Sequence, residues 1–118
     1  MGRHDEEVIR DAYRMFNDRD IEGAVALMAP DVVWPNAVDG GVVRGRDGVR
    51  QHWREVFDTS EPSIELEEIS HSPDGRIAAR VRQVVVARDG HVVADDRVTH
   101  VFRTEGGLVR RMDVETHS

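Results

Sequence analysis

Three polar side chains, Gln83, Asp96 and His100, fall on what the turn spacing makes the apolar face of a strand pair, and His52 falls on the apolar stripe of a helix. Burying such groups without partners costs a few kcal/mol each, so they either line a solvated cavity or satisfy one another. In an apolar cavity the Asp96 carboxyl would hold its proton to higher pH and could act as a general acid or base. A neutral His100 imidazole, set between Val98 and Phe102, could give a proton to a ligand or take one from it. The plainer alternatives are a cross-strand hydrogen bond between Gln83 and Asp96, and a core histidine satisfied by protein groups. His52 adjoins Trp53 and fits either a ligand contact or helix-edge packing with one nitrogen in water. Tyr13 and Trp34 pair an aromatic body with a polar tip, as cavity walls or as core. The cavity expected from these residues is bounded by Tyr13, Phe16, Trp34, Asn36, His52, Trp53, Gln83, His100 and Met112. It would take a small apolar or aromatic molecule, with His100 or Asp96 moving the proton and Asn36 and Tyr13 orienting a substrate oxygen.

Other chemistries are excluded or unsupported. With no cysteine among 118 residues there is no thiolate nucleophile, disulfide or thiolate metal site. All 16 basic residues are arginine, which removes lysine Schiff-base chemistry and reports a GC-rich genome. His52, His100 and Asp96 lack the local spacing of a His-x-x-x-His or His-Glu-x-x-His site, so neither metal nor cofactor is expected. His4, His71, His91 and His117 fall at an end or beside turns and read as surface. Gly40-Gly41 and Gly106-Gly107 do not open helices after strands as a phosphate loop would, and no serine-hydrolase elbow is present. A net charge of -7 argues against nucleic acid or an anionic membrane as partner. No apolar run is long enough to span a bilayer and MGRHDEEVIRD lacks a signal-peptide core, so a cytoplasmic, single-domain protein over residues 1–118 is expected.

The elements that must position these residues change period once, near Pro62. Before it, Val8, Ile9, Ala12, Tyr13 and Phe16 form one stripe of a helix over Asp5 to Asn17. Asp20 caps a second, whose buried face is Ile21, Ala24, Val25, Leu27 and Met28 until Pro30 interrupts it. Val32 to Trp34 reads as a short strand, Pro35 to Arg44 as a loop, and Val49, His52, Trp53, Val56 and Phe57 as the stripe of a third helix. After Pro62 come four strands, Ser63–Ser70, Arg76–Arg88, His91–Thr104 and Leu108–Thr116. A two-residue Asp89-Gly90 turn pairs Ile77 with Phe102, Ala79 with His100, Val81 with Val98, Gln83 with Asp96 and Val85 with Ala94. That face should meet the helices, leaving Arg80, Arg82 and Arg97 on the other. A three-residue Glu105–Gly107 loop sets Met112 opposite His100 and Val114 opposite Val98.

This α+β order, three helices packed on a curved, mainly antiparallel sheet as a cone-shaped roll, resembles the nuclear transport factor 2-like superfamily in its SnoaL-like and ketosteroid-isomerase-like branch. The resemblance rests on VIRDAYRMFNDRDIEGAVALMAPDVVW, VVRGRDGVRQHWREVF and THVFRTEGGLVRRMDV. It implies an apolar pocket in the mouth of the cone and a homodimer through the outer sheet face, where Val84, Val86, Val93 and Val101 lie. The isomerase's own catalytic set does not carry over: its base position falls on Asn36, which takes no proton at neutral pH, its tyrosine position on Ala12 beside Tyr13, and its protonated acid at or beside Thr99. His52 falls where the family places an aromatic pocket residue. The readings left open are an isomerase, cyclase or hydrolase working by acid/base chemistry, and a non-catalytic carrier or dimerising module.

Overall fold

The computed structural model describes residues 5–36 and 40–116. The chain runs α1 (Asp5–Asn17), α2 (Ile21–Val25), β1 (Met28–Pro35), β2 (Val42–Arg44), α3 (Gly45–Thr59), β3 (Ser60–His71), β4 (Ile77–Ala87), β5 (Val92–Glu105) and β6 (Leu108–Thr116). The six strands form one sheet in the order β2-β1-β6-β5-β4-β3. Every neighbouring pair is antiparallel except β1 and β6. This is the α+β arrangement expected, with one correction: beside the expected short strand and the four strands after Pro62 the sheet holds a sixth, β2, so that two strands rather than one separate α2 from α3. His4, His117 and residues 37–39 lie outside the described residues.

The first helix buries the five expected residues, with Asp5, Glu6 and Glu7 in its first turn. It ends in a Schellman motif, in which Arg19 N–H donates to the Phe16 carbonyl at 3.0 Å and Asp20 N–H to that of Met15 at 2.8 Å. Arg19 holds the left-handed position at φ 64°, which glycine would take more cheaply. Its side chain explains the choice. The guanidinium lies 4.6 Å from the centre of the Phe57 ring and donates to the Pro62 carbonyl, tying α1 to α3 and β3. The next residue, Asp20, caps α2 by accepting from Gly23 N–H at 3.0 Å. A Cβ at position 23 would overlap that carboxylate, so a glycine stands inside the helix.

The second helix stops at Val25, short of the expected Met28. Ala29 precedes a proline and is driven to extended geometry, so the strand begins at Met28 rather than at Val32. The Leu27 carbonyl accepts from Val109 N–H at 2.9 Å, which starts the parallel pairing with β6. What reads as loop before Arg44 contains β2, whose Val42, Val43 and Arg44 pair with Pro35, Trp34 and Val33.

Between β4 and β5 the register is the expected one, from Ile77 opposite Phe102 to Val85 opposite Ala94. The turn is different. Gly90 has a positive φ and Asp89 does not, so the type I′ turn is replaced by a three-residue loop in which Gly90 N–H donates to Ala87. A bulge that leaves Val93 unpaired, between Val85–Ala94 and Val86–Val92, cancels the slip. Between β5 and β6 the turn is only Gly106-Gly107, both at positive φ, and a bulge follows at Arg110. Partners therefore move by two, giving Phe102 opposite Met112 and His100 opposite Val114. An even shift keeps every side chain on its face.

The inner face and helices enclose a core that includes Ile9, Met28, Val49, Ile77, Val81, Phe102 and Val109. Ala79 and Val98 are buried with them and Val85 is half-buried. On the outer face Arg82 pairs with Asp95 at 2.7 Å and Arg97 with Glu67 at 3.1 Å, while Arg80 is exposed.

Candidate functional site

The sheet curves away from α1 and α3 at one end, leaving a cavity of about 570 Å³. Tyr13 and Phe16 come to it from α1, Trp34 from β1 and Asn36 from just beyond it. His52 and Trp53 come from α3, Gln83 from β4, His100 from β5 and Met112 from β6, so these nine residues share one lining. Val42, Val56, Ile64, Val85 and Val114 extend it. Asp96 is elsewhere. It is exposed and outside the lining, although it shares a face with His100, because β5 becomes buried only from Val98 onward. Strand period fixes which face a residue takes, not how far along the strand the helices reach.

Aromatic rings make the walls. Trp34 meets Trp53 edge to face at 5.5 Å and Phe16 meets Trp53 at 5.1 Å, both favourable geometries. Phe102 lies beneath, with its ring centre 5.9 Å from that of Tyr13 and 6.3 Å from that of His100.

The polar feature of the wall is a contact between α1 and β5. Tyr13 Oη lies 2.7 Å from His100 Nδ1, with the two rings stacked at 5.8 Å between centres. Separated by 87 positions, the pair leaves no trace in local spacing. Both groups are held neutral by burial: the imidazole is pushed down to about 4 and the phenol well above its usual 10. One proton therefore sits between two neutral groups. If the phenol donates, Nε2 carries the ring's hydrogen; if Nδ1–H donates, the phenolic hydrogen is left for another acceptor. Either tautomer keeps one donor that a ligand oxygen could use.

The remaining polar lining is amide and imidazole, from Asn36, Gln83 and His52, which is 5% exposed. Asp113 borders the cavity, but it stands opposite Val101 on the outward-facing parity of the sheet and its carboxylate lies 2.9 Å from Arg111 Nε, so among the described residues no carboxylate is directed into the cavity. No arginine among the described residues lines the cavity. Among the described residues no three His, Asp or Glu side chains converge as metal ligands would.

The same architecture occurs in known structures. An NTF2-like protein of unknown function from Burkholderia pseudomallei is 28% identical, with a TM-score of 0.82 over 96% of this chain and 90% of that one. TerC, crystallised with polyporic acid, is 26% identical, with a TM-score of 0.82 over 96% and 91%. The Δ5-3-ketosteroid isomerase of a Mycobacterium species is 23% identical, with a TM-score of 0.81 over 94% and 91%, and shares the fold. No curated protein matches the chain. Residues 9–112, which carry most of α1, the helix-three stripe, the Tyr13–His100 pair and Met112, match the SnoaL-like domain, and the chain belongs to that family.

Proposed function

We propose that the protein binds a small, largely apolar, uncharged molecule bearing a carbonyl or hydroxyl oxygen, and that the Tyr13–His100 pair holds that oxygen. The observation carrying this reading is the pair itself, a neutral hydrogen-bonding couple 2.7 Å apart on an aromatic wall. The cavity's volume is in the range that encloses ligands of drug size, and among the described residues no arginine lines it to balance an anionic group. A relative 26% identical was crystallised with polyporic acid, which supports binding of a small organic molecule by this fold.

Where the bound molecule reacts, the pair acts as a neutral acid. A donor that keeps its proton at pH 7 can stabilise negative charge developing on a carbonyl oxygen, as in isomerisation or ring closure, without first being protonated from solvent. Without turnover the same contacts suit a carrier. Asp96, exposed at the far end of β5, takes no part in either case.

Both tryptophans of the chain line the cavity. A neutral polycyclic ketone titrated into the protein is therefore expected to quench intrinsic fluorescence saturably, and Tyr13→Phe to weaken binding about tenfold through one lost hydrogen bond. A signal that never saturates, or equal affinity in the variant, would remove the pair from the site.

The outer face supports a homodimer. Val84 and Val86 are half-buried there in the single chain and Val101 is 9% exposed, on a face the helices do not cover. Light scattering at micromolar concentration is expected to give twice the 13.3 kDa chain mass, and the monomer mass would count against the dimer.

A further inference from the structure

A second concavity, also about 570 Å³, opens on the outer face where β1, β2, β5 and β6 lie side by side, and it shares no lining residue with the cone cavity. Arg44, Arg103, Arg110 and Arg111 line it, against one lining carboxylate, Asp31. Three of the four stand in register. Arg103 on β5 is directly opposite Arg111 on β6, Arg111 is opposite Val33 on β1, and Val33 is opposite Arg44 on β2. The arginines thus form a row across four strands, with Arg103 and Arg111 about 5 Å apart and Arg44 about 10 Å further on.

Such a row works against folding, because like charges directly opposite across a ladder repel. Its neutralisation within the chain is incomplete. Arg111 is engaged by Asp113 at 2.9 Å, and Arg110 by Glu105 and, at 3.9 Å, by Asp31. Arg44 and Arg103 are exposed and neither forms a salt bridge with a described residue, although Arg103 lies close enough to the Asp74 carboxylate to add to the attraction of Arg76 for it. Arg44 has no salt-bridge partner among the described residues and Arg103 has only the more distant Asp74, so both guanidinium groups flanking Arg111 are open to an anion from solution. Guanidinium forks match the oxygens of a tetrahedral oxyanion in pairs, which a point charge cannot do.

We propose that this cleft binds a multiply charged oxyanion of the phosphate class, held between Arg44 and Arg103 with Arg111 beneath it. Among the described residues no aromatic side chain lines the concavity, so the anionic group itself is what is recognised, whether free or as the phosphate of a small ester.

Titration of the full chain with sodium pyrophosphate tests this, followed by calorimetry against sodium chloride of matched ionic strength. Saturable binding with a dissociation constant of about 1 mM or tighter is expected. Arg44→Gln and Arg103→Gln should each weaken it about tenfold, the double variant about a hundredfold, and Arg103→Lys less than Arg103→Gln. Arg80→Gln, which removes an equal charge from an exposed site on β4, should leave the affinity unchanged. Phenyl phosphate in a parallel arm distinguishes the sources: tighter binding than inorganic phosphate points to an ester, equal or weaker binding to the free anion. Circular dichroism of the variants should match the parent, since each removes only an exposed charge. Absence of saturation up to about 10 mM, or equal weakening by Arg80→Gln, would overturn the proposal, since only net charge would then be at work.

Discussion

Replacing Phe102 by alanine is expected to lower the free energy of unfolding by about 3–5 kcal/mol. Phe102 is 1% exposed and is the largest fully buried side chain among the described residues. Its neighbours decide the size of the effect. The ring meets Tyr13 and His100 edge on and stands 6.3 Å from Trp34, so one phenyl group supports α1, β1 and the middle of β5 together. These neighbours belong to different elements of a close-packed core and cannot all move into the space, so a void remains beside the existing cavity. Urea unfolding at pH 7, followed by circular dichroism, measures the loss. A cost below about 1.5 kcal/mol would mean that the rings collapse together and that Phe102 is not their common support. Ligand affinity should fall with it, because the Tyr13–His100 pair rests on this ring.

Acid should destabilise the protein steeply, and His100 should account for much of the effect. In the folded chain its imidazole titrates at about 4, because burial disfavours the charged form. In the unfolded chain it titrates near the ordinary value of about 6.5. As pH falls through that window the unfolded chain takes up a proton that the folded chain refuses, so stability is complete above about pH 6.5 and is lost toward pH 4. The expected loss from this one group is about 2.5 kcal/mol between pH 7 and pH 4.5. His100→Gln keeps hydrogen-bonding capacity toward Tyr13 and has no imidazole to protonate, so its stability should decline with acid that much less steeply. Urea midpoints of both proteins across this range make the comparison. Parallel curves would show that His100 carries its proton in the folded state, and the neutral pair would have to be abandoned. Ligand binding should be flat from pH 6 to 9, since neither member of the pair titrates there.

Several residues placed themselves by chemistry legible along the chain. The stripes of α1 and α3, with Asp20 as a cap, follow from local spacing, because a helix's buried face repeats within a turn. Inward and outward alternation on β4, β5 and β6 follows from strand period, and it survived two wrong turn assignments. At Asp89-Gly90 the longer loop and the Val93 bulge offset one another; at Gly106-Gly107 the displacement was even. Parity is insensitive to errors of two. For that reason Gln83, His100 and Met112 lie in one lining with the six residues expected there from α1, α3 and the first strand and its end.

Depth and partnership were settled elsewhere. Asp96 has the parity of His100 and none of its burial, since the distance the helices extend along β5 depends on how three separate elements pack. The extra strand β2 was hidden among loop-forming residues, because three residues pairing with β1 have too short a pattern to register. Tyr13 and His100 meet only when α1 lies across β5, and the arginine row appears only when four strands stand in register. The sequence by itself determined which side chains turn inward, a property of each element's own period. Only the tertiary structure decided which of them share water, a proton or a charge, because those depend on distances between residues far apart along the chain.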